Sequence, residues 1–247
     1  MRIKCAMTIL SIFWMVNFAW AQKLNRDLFK PSTLVSSEIA RKQLQKIYLN
    51  SDKRRTFHCG CVFDKLKQVN ANICVNGSKS SKQKPKKLAW KSLMPPRIFA
   101  GSLKCWEKTS CARSDGKMVK RRQCCSEVSP KFKTRESDMH NIFPMINGTV
   151  FSSETENFSG MWEYSYCEKK SGLRKEIRGD ASRAYLYMSF QYKIPLDDGL
   201  EDTLRNWHFE DPPDAWEEKR NDMIEIIQGN RNPFIDKPEL VERVKNF

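Results

Sequence analysis

Beyond its first 21 residues the chain carries Cys59, Cys61, Cys74, Cys105, Cys111, Cys124, Cys125 and Cys167, with His58, His140 and His208. Thiols and imidazoles can hold zinc, and thiols can pair. Cys59-Gly60-Cys61 and the adjacent Cys124-Cys125 lack the two-residue gap of a thiolate zinc knuckle, and no histidine sits at metal spacing from another. An even number of cysteines in an exported chain points to disulfides, with the connectivity left open. A second set of groups suits phosphate. Lys79, Lys82, Lys84, Lys86 and Lys87 form one basic run, Lys117, Lys120, Arg121 and Arg122 a second, and Arg174, Lys175, Arg178 and Arg183 a third. Contact of Lys and Arg with a DNA or RNA backbone is sequence-independent and salt-sensitive. The competing reading is a generally basic, solvated surface.

The composition agrees with both chemistries. The chain has 247 residues, 44 Lys+Arg against 29 Asp+Glu, and a formal net charge of +15. With 40% hydrophobic and 30% charged residues it is neither a polytopic membrane protein nor a low-complexity chain. The excess of cations favours an anionic partner: nucleic acid, an acidic lipid surface or an acidic protein. Residues 1–21 read as a signal peptide, with Arg2 and Lys4 at the start, an apolar run from Ala6 to Phe18, and Ala19-Trp20-Ala21 before cleavage at Gln22. The run is too short for a membrane anchor, and no later stretch could span. This predicts a periplasmic or secreted protein whose mature part, residues 22–247, is one domain. Its oligomeric state is not legible.

The elements that position these groups read as mostly helical with a small sheet. Ser36 to Asn50 repeats apolar residues three or four apart, with Ser36 or Ser37 as its cap. Phe57 to Phe63 suits a short strand pinned by its cysteines. Asn76 to Lys87 is a basic loop, Cys105 to Cys125 is loop-like, and 149–172 is irregular. Asp180 can cap a helix with Ala184, Tyr187, Met188 and Gln191 near one face, ended by Pro195. Two more helices follow, Leu200 to His208 and Pro213 to Gln228, the second with Pro213 in its first turn and Gly229 as its C-cap.

Four segments in order carry a resemblance: Phe57-His58-Cys59-Gly60-Cys61; Trp90-Lys91-Ser92-Leu93-Met94-Pro95 closing at Cys105-Trp106; Arg122-Gln123-Cys124-Cys125 followed by Glu136 to Pro144; and Arg183 to Met188 with Trp207, Trp216 and Ile227-Gln228-Gly229-Asn230-Arg231-Asn232-Pro233-Phe234. Together they resemble the bacterial endonuclease I family over most of residues 30–236. The resemblance implies an α+β domain around a ββα-metal core. It also implies non-specific cleavage of DNA, and often RNA, with one Mg2+ on the scissile phosphate and a histidine that activates water. Asn76, Asn147 and Asn157 match glycosylation acceptors; in a bacterial family these read as chance matches.

The resemblance breaks where the chemistry sits. The family reads Trp-Glu-His in the second segment, the glutamate on the metal and the histidine as base. Here Lys91 and Ser92 stand in those places, and Trp90 and Pro95 fix the register. A lysine facing a divalent ion replaces attraction by repulsion, and a serine hydroxyl is no base near neutral pH. Loss of a general base alone typically costs about 10²–10⁴ in rate. Asn141 occupies the second metal position, and His140 beside it is the best substitute base, against the plainer reading of a packed residue. Glu136 and Asp138 could lend carboxylates, against the plainer reading of surface residues at a loop-to-helix junction. The run after Pro144 keeps only Asn147-Gly148. Three functions follow: a nuclease fold that has lost hydrolysis and binds nucleic acid, a metal-dependent endonuclease with a rebuilt site, or a disulfide-braced interaction scaffold.

Overall fold

The computed structural model describes residues 29–34, 36–70, 74, 86–107, 111–147 and 173–247. The leader, Lys79, Lys82, Lys84, Cys167, Asn76, Asn157 and the 149–172 stretch lie outside them.

Helix α1 (Ser37–Leu49) starts where the sequence places it, with the Ser36 hydroxyl accepting from the Ile39 amide. The next expectation fails. Residues 57–63 form no strand but a tight loop: Gly60 takes φ +60°, its amide bonds the Thr56 carbonyl, and only isolated bridges join Arg55 to Val62 and Phe63 to Val69. The loop is stitched by Thr56 Oγ1, which accepts from the Cys61 amide, and by the Cys61–Cys74 disulfide.

The sheet is β1 (Gln68–Val69), β2 (Lys86–Ser92) and a later strand β5 (Ile142–Ile146), antiparallel in the order β1-β2-β5. In the central pair Leu88 faces Ile146, Trp90 faces Pro144, Lys91 faces Phe143 and Ser92 faces Ile142. Alternation sorts these side chains to two sides. Leu88, Trp90, Ile142 and Ile146 pack with Leu44, Ile47 and Tyr48 of α1, whereas Phe143 and Met145 belong to a second, larger cluster under the C-terminal helices. The sheet is thus a partition between two cores.

Between β2 and β5 run α2 (Pro96–Phe99), α3 (Lys104–Glu107), a hairpin of β3 (Cys111–Ala112) and β4 (Met118–Val119), α4 (Arg121–Val128) and α5 (Pro130–Ser137). The stretch read as loop therefore holds a hairpin. Adjacent Cys124 and Cys125 on α4 take different partners, Cys111 and Cys105, so the hairpin and α3 are riveted to one helix. Cys59 is disulfide-bonded as well.

Helix α6 (Arg178–Tyr192) begins two residues before Asp180, which sits in its first turn and caps nothing. Gly179 and every residue from Ala181 to Ser189 are buried, so the expected single apolar face is a helix enclosed on all sides. It stops before Pro195, with Lys193 left-handed at φ 52°. Gly179 lets it approach its neighbour: a Cβ there would lie 1.8 Å from the Asp211 carbonyl oxygen. Helix α7 (Asp198–Glu210) and α8 (Ala215–Gln228) follow, the latter capped by Asp214 rather than begun by Pro213, and closed by Gly229 at φ 83°. Short helices α9 (Pro233–Asp236) and α10 (Leu240–Arg243) finish the fold.

A clasp joins the first described residues to this late region. Thr33 bonds the Gln228 carbonyl through both its amide and its hydroxyl, and Asn230 Nδ2 donates to the Lys30 carbonyl. The result is an α+β domain braced by disulfides, as expected from the sequence.

Candidate functional site

Fold and sequence bring the two halves of the expected site together. A short 3-10 turn, Met139–Asn141, leads into β5, and the Asn141 carbonyl accepts from the Leu93 amide at 2.8 Å, just past Lys91-Ser92. Asn141 is carried by this turn, not by an α-helix. Its amide is fully used: Oδ1 accepts from the Met94 amide at 2.7 Å and Nδ2 donates to the Met94 carbonyl at 3.0 Å. Asn141, Leu93 and Met94 have no exposure at all. Lys91 and Ser92 are half-buried on opposite faces of β2. Burial lowers the Lys91 pKa from its ordinary value.

These residues do not fit Mg2+, which takes an octahedron of carboxylate, amide and water oxygens. The strand end offers an ammonium, a hydroxyl and an amide already paired with backbone. Among the described residues no group of three His, Cys, Asp or Glu side chains is placed to hold a metal.

His140, the candidate substitute base, is enclosed. It is 1% exposed, its Nε2 lies 3.2 Å from the Asn230 carbonyl, and its ring packs edge-on against Tyr187. A carbonyl only accepts, so Nε2 carries a proton. Desolvation brings its pKa down to about 4. In this structure the ring is packed and hydrogen-bonded inside the protein. His58 and His208 are also buried, with pKa values pushed down chiefly by burial.

What holds the turn is Asp138, a residue the sequence reading leaves on the surface. It is buried completely, and no described residue places a cation on its carboxylate. Oδ1 accepts from the His140 amide and Gln228 Nε2, and Oδ2 accepts from the hydroxyls of Tyr187 and Tyr192 at 2.8 and 2.6 Å. Asn230 ties into the same network through Tyr187 and Gln228. Glu136 is buried too, and accepts from Arg122 Nε at 2.7 Å. The signal in the sequence was the company these carboxylates keep: Tyr187, Gln228 and Asn230 all fall in the quoted segments.

The expected phosphate contacts divide. Lys87, Lys120 and Arg121 are exposed, and Lys86 is half-buried on β2. Arg122 is half-exposed but shares its guanidinium with Glu136. Arg178 lies over the Trp207 ring, 5.3 Å from its centroid, and donates to the Leu173 carbonyl. Arg183 is a correction. It is 1% exposed, forms a two-point ion pair with Glu217, and donates to the Asp211 carbonyl, so it is an internal strut and not a surface cation. In α6, burial reaches round to the face on which Arg183 projects.

A second feature escapes the sequence. At the outer edge of β5 lies a cavity of about 210 Å³, between Tyr48 of α1, the 53–57 loop, the start of α6 and Trp216 of α8. Phe57, whose amide bonds the Pro144 carbonyl, closes one side.

The Endonuclease I family model matches residues 32–239, and the chain belongs to that family. It is 29% identical over 217 residues to an extracellular deoxyribonuclease of Aeromonas hydrophila, covering 80% of this chain and 88% of that one. A periplasmic deoxyribonuclease of the same organism is 28% identical over 212 residues (80% and 84% covered), and Endonuclease-1 of Buchnera aphidicola subsp. Acyrthosiphon pisum is 28% identical over 228 residues (86% and 85%).

Proposed function

We propose that this chain is an exported nuclease-fold protein that binds the backbone of DNA or RNA but has lost, or nearly lost, hydrolysis of the phosphodiester. Export is supported by the leader, by the disulfides and by the extracellular and periplasmic names of its relatives. The observation that carries the loss is the β2 end: Lys91 and Ser92 stand just before Leu93, which pairs with Asn141, and the Asn141 amide oxygen and nitrogen are both spent on Met94. At about 4 Å and an effective dielectric near 20, one unit charge contributes about 4 kcal/mol. A lysine in place of a carboxylate therefore works strongly against a divalent ion. Binding needs none of these groups, only exposed cations such as Lys87, Lys120 and Arg121.

The test is plasmid and RNA cleavage by the oxidised chain with magnesium or manganese, against chelator. A Lys91→Glu/Ser92→His variant runs beside it. The native chain is expected to leave both substrates intact and the variant to cut, with the returning base contributing about 10²–10⁴. Metal-dependent cleavage by the native chain would overturn the loss. Failure to retain DNA at low salt would overturn the binding.

A further inference from the structure

Between Phe63, which bridges to Val69, and strand β1 the chain makes a tight hairpin whose tip is Lys65-Leu66-Lys67. Asp64 and Gln68 hold its base. The Asp64 amide bonds the Gln68 carbonyl at 3.0 Å, Asp64 Oδ1 accepts from the Gln68 amide at 2.8 Å, and the Asp64 carbonyl accepts from the Lys67 amide at 3.1 Å. Lys67 is left-handed at φ 63°, the conformation with which a three-residue loop closes a hairpin. A loop fixed in this way presents Leu66 outward, 79% exposed.

Cations surround that leucine. Lys65 and Lys67 flank it in the chain, and both are exposed. The neighbouring strand β2 adds Lys87, opposite Gln68, and Lys86, opposite Val69. On the other side, exposed Lys53 lies on the segment whose Arg54 carbonyl accepts from the Phe63 amide. The carboxylate within the hairpin, Asp64, is turned into its base by the bond to Gln68. Ile226, 84% exposed, has a different setting: Asp222 and Glu225 stand beside it on α8, both bound to Arg231.

An apolar tip ringed by lysines matches a surface that is anionic outside and hydrocarbon within, which is the face of a bilayer containing acidic phospholipid. Lysines close to such a surface are drawn to its headgroups, and an aliphatic side chain gains by entering the acyl boundary. Reversible peripheral binding combines these two attractions. A nucleic-acid backbone would use the lysines and leave the leucine in water, and the tip carries no aromatic ring to stack on a base.

We infer that the 64–68 hairpin is a peripheral docking point for bilayers of anionic phospholipid, with Leu66 entering between the headgroups and Lys65, Lys67, Lys86 and Lys87 against their phosphates. This goes beyond nucleic-acid binding. Lys87 suits either anion, so the leucine and not the charge marks the lipid.

The test is co-sedimentation of the oxidised chain, recovered after export, with vesicles of phosphatidylcholine and phosphatidylglycerol in equal parts, beside vesicles of phosphatidylcholine alone. The chain is expected to sediment with the mixed vesicles and to stay in solution with the neutral ones. Leu66→Ser keeps the charge and should weaken binding about tenfold, as for one buried leucine. Leu66→Trp, which suits the membrane interface, should match or exceed native binding. Lys65→Ala/Lys67→Ala should weaken it about 30-fold at low salt, by a margin that shrinks as salt is added. The tip is exposed, so the denaturant midpoints of these variants should stay at the native value. Equal binding by Leu66→Ser and the native chain would reduce the contact to charge alone and overturn the inference, as would failure of the native chain to sediment with the mixed vesicles at low salt. DNA retention is measured on the same proteins. Its loss in Leu66→Ser, with vesicle binding intact, would make the hairpin a nucleic-acid wedge and overturn the inference too. Absence of DNA retention throughout, with vesicle binding still dependent on Leu66, upholds this inference and sinks backbone binding alone.

Discussion

The end of β2 and the outer edge of β5 belong to the same two-stranded ladder and have opposite characters. At the β2 end every polar atom of Asn141 is bonded to backbone, and the neighbouring side chains are an ammonium and a hydroxyl. At the β5 edge a cavity is lined by carboxylates (Glu176, Asp180, Asp214, Glu217), by Lys and Arg cations and by aromatic rings. Backbone-held groups belong to the frame, and their positions outlast a change of chemistry. The groups around the cavity are charged and are tied both to backbone, as Arg174 is to the Phe57 and His58 carbonyls, and to one another, as Arg183 is to Glu217. Asp138 is the extreme of the first kind: four donors converge on it.

The contrast can be broken most forcefully at Asp138. Asp138→Ala leaves two tyrosine hydroxyls, a side-chain amide and a backbone amide without their acceptor, in full burial. A loss of at least about 3 kcal/mol is expected, read as a lowered denaturant midpoint. Intact stability would show that the turn needs no such anchor. Next comes Arg183→Ala, which strands Glu217 in a buried site and should cost about 3–5 kcal/mol with no specific change in the salt dependence of DNA retention. Arg121→Ala should do the reverse: negligible loss of stability, and a salt slope shallower by about 1. Matching effects of the two substitutions would erase the distinction between strut and surface cation.

A subtler effect is set by pH. Folded, His140 stays neutral down to about 4, whereas the unfolded chain takes its proton near 6.5. Between those values the unfolded state binds more protons, so stability falls as the pH is lowered through this window, by at most about 3 kcal/mol from this residue. In His140→Gln that part of the acid sensitivity should vanish from denaturation curves recorded at pH 7 and pH 4.5. An unchanged difference would place the acid sensitivity elsewhere.

Much of the frame was legible because it rests on local chemistry. The Ser36 cap, the Gly229 C-cap and the four long helices follow from residue types within a turn of one another. The strand predicted at 57–63 failed for the same reason: apolar content suggested extension, while the left-handed Gly60 and a short-range disulfide bend the chain back on itself. The substituted site was legible through Trp90 and Pro95, which fix the register. Asp138, Glu136 and Arg183 were not, since nothing local says that a charged residue will be enclosed. Their partners lie far along the chain: Gln228 is 90 residues from Asp138, and Glu217 is 34 from Arg183. The cavity was hidden likewise, since it is assembled from segments between Tyr48 and Ile235.

The clasp between Lys30, Thr33 and the 228–230 segment has a bearing on how such a chain is made. Its hydrogen bonds join residues 195 and 200 positions apart. While a ribosome is still adding those positions, the early segment has no partner to dock on, and contacts of such long range also close slowly. The early segment therefore waits undocked until residues 228–230 have been made, and this clasp is among the last contacts of the fold to close.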